Sequence, residues 1–79
     1  MLKDEEIKAI IERSFSPFSC AVEILPGDQI RFKVMDKTVQ LYEESGLALS
    51  ELRYEAVLAT LLTRVRESLV ANGHLLDPW

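Results

Sequence analysis

The sequence LSELRYEAVLATLLTRVRESLVANG, residues 49–73, decides the fold because it predicts one long amphipathic helix. Its apolar residues recur at steps of three and four, the spacing that places side chains on one helical face. They are Tyr54, Val57, Leu58, Leu61, Leu62, Val65 and Leu69. No proline or glycine interrupts the run before Gly73, and Ser50 is the predicted N-cap. An apolar face of this length must be buried, so we expect the upstream chain to cover it.

The upstream chain predicts one helix over about residues 3–14 and three strands over residues 19–25, 29–35 and 38–43. Asp4 is the predicted N-cap of the helix, and Pro17 prevents its continuation because proline disfavours helical geometry in the preceding residue. The strands alternate apolar and polar residues, which is typical of strands with one buried face. The apolar stripe of the helix consists of Ile7, Ile10, Ile11 and Phe15.

The register of the first two strands follows from their apolar residues. If Val22 lies opposite Phe32, the large apolar residues of both strands share one face, as a correct register requires. Glu23 then lies opposite Arg31, which is a favourable cross-strand pair of charges.

The same test gives a register for the third strand. It places Val39 opposite Val34 and Leu41 opposite Phe32, again with the apolar residues on one side. We therefore predict the α+β class: a two-layer α-β-β-β-α domain in which both helices cover one face of a three-stranded antiparallel meander. Residues 1–79 are expected to form a single domain with an ordered core over about residues 3–73 and a C-terminal tail over residues 74–79.

Charge and cysteine content narrow the classes of function. A formal net charge of −4 and a pI of about 4.9 disfavour non-specific binding to nucleic acid or to anionic membranes. The single cysteine argues against a disulfide-rich secreted domain. The first six residues lack the apolar run of a secretory signal, and the apolar window at residues 56–62 is too short to span a bilayer. These features predict a cytoplasmic protein.

Neither of the two residues that could carry chemistry has partners in the sequence. His74 lies in the predicted tail without a Cys or His at the spacing of a metal site. Cys20 alternates with Val22 on the buried side of its strand, so we assign it to packing. We therefore expect a non-enzymatic protein with no catalytic residues, no cofactor and no metal ion.

The face of the sheet that the helices leave uncovered is the candidate interaction surface. Its predicted residues are Arg31, Lys33, Gln40, Tyr42, Leu25 and Met35. Apolar residues among polar ones can mark a partner site, although the same composition is typical of a solvated sheet face. A minor ridge on the long helix, formed by Leu52, Ala59 and Val70, is a second candidate for a helix-packing or dimer contact.

Residues 10–20, IIERSFSPFSC, resemble a family of small stand-alone bacterial proteins of unknown function. In that family a first helix ends in a Ser-Phe-x-Pro turn that leads into a strand beginning at Cys. Gly46-Leu47 before the long helix fits the same pattern. The resemblance implies a cytoplasmic single-domain protein and supplies no catalytic residues. The order of elements is also similar to that of double-stranded-RNA-binding domains, but residues 50–55 carry two acids and one arginine where such domains place lysines.

Three functions remain as hypotheses. The first is a protein-binding or adaptor module that binds an unknown protein partner or self-associates as a homodimer. The second is an atypical nucleic-acid-binding domain that uses Arg31, Lys33 and Arg53, which the acidic net charge disfavours. The third is a small ligand-binding domain, which needs a concave apolar pocket that a sheet of this size can hardly enclose.

Overall fold

The computed structural model describes residues 1–78 of the chain. The helices and strands are α1 Asp4–Arg13, β1 Ser19–Leu25, β2 Gln29–Asp36, β3 Val39–Ala48, α2 Leu49–Leu52 and α3 Glu55–Ala71. The three strands form one antiparallel sheet in the order β1-β2-β3. The predicted α+β class and the meander are confirmed.

The β1–β2 hairpin has the predicted register. Val22 pairs with Phe32, and Glu23 pairs with Arg31. Ile30, Phe32 and Val34 are buried, while the residues between them are exposed, so one face of β2 points into the core. The hairpin is predictable because alternation along both strands and the Pro26-Gly27 turn are local signals.

The predicted register of β3 is wrong. Tyr42 pairs with Val34, and Glu44 pairs with Phe32, because the register shifts twice along β3. A tight turn at residues 37–38 places Val39 opposite Asp36, where 59% of its surface is exposed. A further shift near Gly46, whose φ of 71° favours glycine, lets β3 continue to Ala48 instead of ending at residue 43.

The N-cap of helix α1 lies one residue earlier than predicted. Lys3 is the N-cap, and its backbone N–H donates to Glu6 Oε1 at 3.0 Å, so the assignment of Asp4 as N-cap is wrong. The helix ends at Arg13, ahead of a cis Ser16–Pro17 peptide bond. Ile7 and Ile11 are buried on the predicted stripe, together with Phe15 just beyond the helix.

The predicted long helix is broken into α2 and α3. Tyr54 has an extended backbone, with φ −87° and ψ 119°, and caps α3. Ser50, the predicted N-cap, lies within α2, where its backbone N–H and hydroxyl donate to the Asp28 carboxylate at 3.1 and 2.6 Å. At the break, the backbone N–H of Leu2 donates to the carbonyl oxygen of Arg53 at 2.9 Å. The Arg53 carbonyl, which would accept the Val57 N–H in a continuous helix, is therefore paired with the N-terminus instead.

One hydrophobic core joins both long helices to the same face of the sheet. Phe15 stacks on Phe32 with ring centroids 5.7 Å apart. The buried apolar residues are Ile7, Ile11, Phe15, Ile30, Phe32, Val34, Leu49, Leu52, Leu58, Leu61, Leu62, Val65 and Leu69. The placement of Tyr54 and Val57 on the buried stripe is therefore wrong, and so is the placement of Leu52 on an outward ridge.

Residues 74–78, predicted as a tail, lie against the connection between α1 and β1. The backbone N–H of Asp77 donates to the carbonyl oxygen of Ser16 at 2.8 Å, and the Ser16 hydroxyl donates to Asp77 Oδ2 at 2.9 Å. Arg66 Nη2 donates to the carbonyl oxygen of Asp77 at 2.7 Å. Leu76 packs against the core. Trp79, the last residue of the predicted tail, lies outside the described residues.

Candidate interaction surfaces

The open face is the face of the sheet opposite the helices. Five of the six predicted surface residues alternate with the buried residues of the sheet and therefore lie on it. They are Arg31, Lys33, Gln40, Leu25 and Met35. The two apolar members do not meet, because Leu25 pairs with Gln29 and Met35 pairs with Ser19 at the other end of the hairpin, about 20 Å away. The open face therefore presents no continuous apolar patch.

The cations of the open face lie among acids. Arg31 Nε donates to Glu23 Oε1 at 2.6 Å, which confirms the predicted cross-strand pair. Lys33 lies opposite Glu43 on the neighbouring strand. These residues and Ala21 line a shallow cavity of about 410 Å³. Opposite charges side by side reduce the attraction of this face for a polyanion.

Tyr42 was predicted on the open face and lies on the other side of the sheet. It pairs with the buried Val34 and packs against the core. Its hydroxyl donates to Glu44 Oε1 at 2.7 Å, and Arg64 Nη2 lies 3.4 Å from the same oxygen. Burial, the hydrogen bond to Glu44 and the charge of Glu44 raise the pKa of Tyr42, while Arg64 opposes the shift. Tyr42 therefore belongs to the contact between β3 and α3.

Sequence reasoning missed an apolar groove beside the break between α2 and α3, which we call the α2–α3 groove. One part, of about 450 Å³, is lined by Leu47, Glu51, Leu52, Ala56, Val57, Thr60, Leu61 and Arg64. The adjoining part, of about 560 Å³, is lined by Met1, Ser50, Glu51, Arg53, Tyr54 and Val57. Tyr54 is 58% exposed and Val57 is 41% exposed. The apolar spacing of these residues signals burial, so no local pattern reveals that the break exposes them.

The two edges of the sheet differ in regularity. β1 pairs residue by residue with β2 over all of Ser19–Leu25, whereas the pairing of β3 with β2 shifts twice. Among the described residues, the backbone of β1 forms no hydrogen bond outside its pairing with β2. Ile24, at this edge, is 39% exposed. Bulges protect an edge strand from pairing with another chain, so β3 is protected and β1 is not.

Cys20 lies on the inner side of the β1 edge and is half-buried opposite Val34. Burial, and secondarily the negative charge of Glu12, raise the pKa of its thiol to about 12. A thiol with this pKa is a poor nucleophile at neutral pH, because the thiolate is the reactive form.

The other residue singled out for chemistry, His74, contacts the ring of Phe18 edge-on, with centroids 6.1 Å apart. Over residues 1–78, no group of three or more His, Cys, Asp or Glu side chains has the arrangement of a metal site. In the same part of the chain, no helix combines the length and the apolar character needed to cross a membrane.

The fold and its surfaces define a small two-layer α+β domain with an unprotected sheet edge and an apolar groove. The chain belongs to the family described as "Protein of unknown function (DUF1652)", which it matches over residues 5–69. The matched region runs from α1 into the last turn of α3, and it confirms the predicted resemblance to a family of unknown function. Comparison with curated proteins and with solved structures finds no match.

Proposed function

We propose that this chain is a non-enzymatic protein-binding or adaptor module of the bacterial cytoplasm, and that it binds a partner chain by strand addition at β1. One observation carries the proposal: β1 is a regular edge strand of seven residues whose outer backbone groups have no partner among the described residues. Such an edge is a template for an extended segment of another chain, because its N–H and C=O groups supply the hydrogen bonds.

The side chains of β1 suit a protein partner. Val22 and Ile24 place apolar surface at the edge, and only Glu23 carries a charge. Neither lysine nor proline, two residues that discourage edge pairing, occurs in β1. An added strand would cover the exposed part of Ile24 and gain hydrophobic contact as well as hydrogen bonds.

The distribution of cations favours a protein partner over a nucleic acid. Arg31 and Lys33 lie on the open face among acids, while Arg53 lies at the break before α3. Arg53 Nη2 is 2.6 Å from Asp4 Oδ1, so this cation is also paired. A nucleic-acid interface needs cations clustered along one path of phosphates, and these three residues do not form one.

The experiment compares two matched variants on the two edges of the sheet. Ile24 on β1 and Val39 on β3 are both exposed β-branched residues, and each is changed to lysine. A partner captured from cells that encode the chain is purified, and its affinity for wild type, Ile24→Lys and Val39→Lys is measured by calorimetry. Circular dichroism first establishes that both variants are folded.

We expect Ile24→Lys to weaken binding at least about tenfold, because lysine at an edge opposes strand addition and the apolar contact is lost. Val39→Lys should bind like wild type. Equal affinity of all three proteins would refute binding at β1. A captured RNA or DNA whose affinity falls steeply with salt would instead support the nucleic-acid hypothesis.

A further inference from the structure

We propose that the β1 edge binds a second copy of this chain, with the two β1 strands antiparallel about a two-fold axis at Val22. The inference rests on the proposed function, because it names the occupant of the same edge. The product is a closed dimer with a continuous sheet of six strands, three from each copy.

Symmetry limits the possible registers. Residues directly opposite each other in a sheet point to the same face. A two-fold axis normal to the sheet keeps the helices of both copies on one side. One residue of β1 must then lie directly opposite the same residue of the partner subunit, with the axis between them. An axis centred between two consecutive residues would place an inner residue of one copy opposite an outer residue of the other. Ala21, Val22 and Glu23 are the central residues of β1 and are the candidates for the axis.

Charge and strand length choose among the three. An axis at Glu23 would place the two Glu23 carboxylates directly opposite each other, which is destabilising. An axis at Ala21 would leave Ile24 and Leu25 beyond the paired segment. An axis at Val22 pairs all seven residues of Ser19–Leu25 and opposes no like charges.

The register at Val22 also matches the side chains. On the inner face, Val22 lies opposite Val22 of the partner subunit, and Cys20 lies opposite Ile24 of the partner subunit. The Cys20–Ile24 contact covers the exposed part of Ile24. The Val22–Val22 contact extends across the dimer the row of side chains that contains the Val22–Phe32 pair. On the open face, Ala21 lies opposite Glu23 of the partner subunit, which leaves that carboxylate free to keep its contact with Arg31.

The other edge explains why the assembly stops at two copies. An isologous contact uses β1 of both subunits, so no β1 edge remains. The free edges of the dimer are the two β3 strands, whose register shifts and Gly46 turn discourage further pairing. Dimerisation therefore covers the regular β1 edge of both copies.

Two opposite charges at residue 21 test the register. Ala21 is exposed and lies opposite Lys33 within its own sheet, so Ala21→Glu should raise the stability of the monomer and Ala21→Lys should lower it. In the dimer, the introduced group faces Glu23 of the partner subunit at two symmetric positions. Ala21→Glu should therefore weaken dimerisation about tenfold, and Ala21→Lys should strengthen it about tenfold. Monomer stability and dimer affinity thus change in opposite directions.

Sedimentation equilibrium over a concentration series measures the dissociation constants, and urea unfolding of dilute protein measures the stabilities. The controls are Gln40→Glu and Gln40→Lys, which make the same changes on the open face at the β3 edge. Neither control should alter dimerisation. A constant mass of 9.0 kDa up to the highest soluble concentration would overturn the inference. A dimer that responds equally to both Ala21 variants would overturn it too, because its contact would lie elsewhere.

The two proposals fail separately. If wild type stays monomeric while Ile24→Lys weakens binding of a purified partner, self-association is refuted and strand addition at β1 by that partner stands. If wild type dimerises and no other partner depends on Ile24, self-association is the whole binding activity of the edge.

Discussion

The two ends of the helical segment 49–71 share one apolar spacing and meet different surroundings. In the C-terminal part, Leu58, Leu62 and Leu69 are fully buried against the sheet and α1. In the N-terminal part, Tyr54 and Val57 continue the same spacing, yet they are exposed at the α2–α3 groove. Spacing therefore predicts which face is buried only as far as the helix remains continuous.

The difference arises at the break. The carbonyl oxygen of Arg53 accepts the backbone N–H of Leu2, and the extended Tyr54 starts a new helix. On the other side of the break, Leu49 and Leu52 of α2 are buried in the core. Tyr54 and Val57, which a continuous helix would bury, are therefore exposed, whereas Leu52, which it would expose, is buried.

The largest expected effect tests the buried end. Leu62→Ala should lower the free energy of unfolding by about 3–5 kcal/mol, because it leaves a cavity at the centre of the core. Arg64→Ala, two residues further on the exposed side of α3, is the control and should cost about 0.5 kcal/mol or less. Urea titrations of both variants measure the difference, and equal losses would show that the wrong face is assigned as buried.

The second prediction tests the exchange directly. Leu52→Ala should cost about 2–3 kcal/mol, because Leu52 is buried under the break. Val70→Ala is the matched control from the ridge that the sequence predicted, and at 55% exposure it should cost well under about 1 kcal/mol. If both changes cost equally little, the helix is continuous and the ridge faces outward as the spacing predicts.

Local signals account for what the sequence predicts correctly. Alternation in β1 and β2 needs only neighbouring residues, and it yields their register and the Glu23–Arg31 pair. The stripe of α1 and the buried residues of α3 after Leu58 follow from helical spacing in the same way. β1 and β2 place four of the six predicted residues of the open face correctly, namely Leu25, Arg31, Lys33 and Met35.

Long-range contacts account for the remainder. The break in the helix coincides with a contact between Leu2 and Arg53, which are 51 residues apart, and no local pattern encodes this contact. The register of β3 depends on two shifts, and each shift moves the residues beyond it relative to β2. Tyr42 was assigned to the wrong face for that reason, and the α2–α3 groove was missed because it exists only beside the break.

The third prediction concerns the contact that holds the N-terminus at the break. Arg53 Nη1 donates to the carbonyl oxygen of Leu2 at 3.3 Å, and Nη2 pairs with Asp4. Arg53→Met keeps the aliphatic stem and removes both contacts, so it should cost about 0.5–1 kcal/mol after allowance for partial solvent exposure. Hydrogen exchange at the Leu2 amide should accelerate while exchange at Leu58 stays slow. Unchanged exchange at Leu2 would show that the guanidinium does not secure the N-terminus.

The smallest effect is expected at the exposed end of the segment. Val57 has the spacing of a core residue, and a continuous helix would make Val57→Ser costly because a buried hydroxyl would replace two methyl groups. In the structure its side chain lines the groove and is 41% exposed, so the change should cost about 0.5–1 kcal/mol, mostly through lost contact with the groove walls. Val65→Ser makes the same substitution at a fully buried position of α3 and should cost at least about 2 kcal/mol. Urea titration gives the loss of unfolding free energy for both variants. A ratio of the two losses near one would show that Val57 is as buried as Val65 and that the helix is continuous.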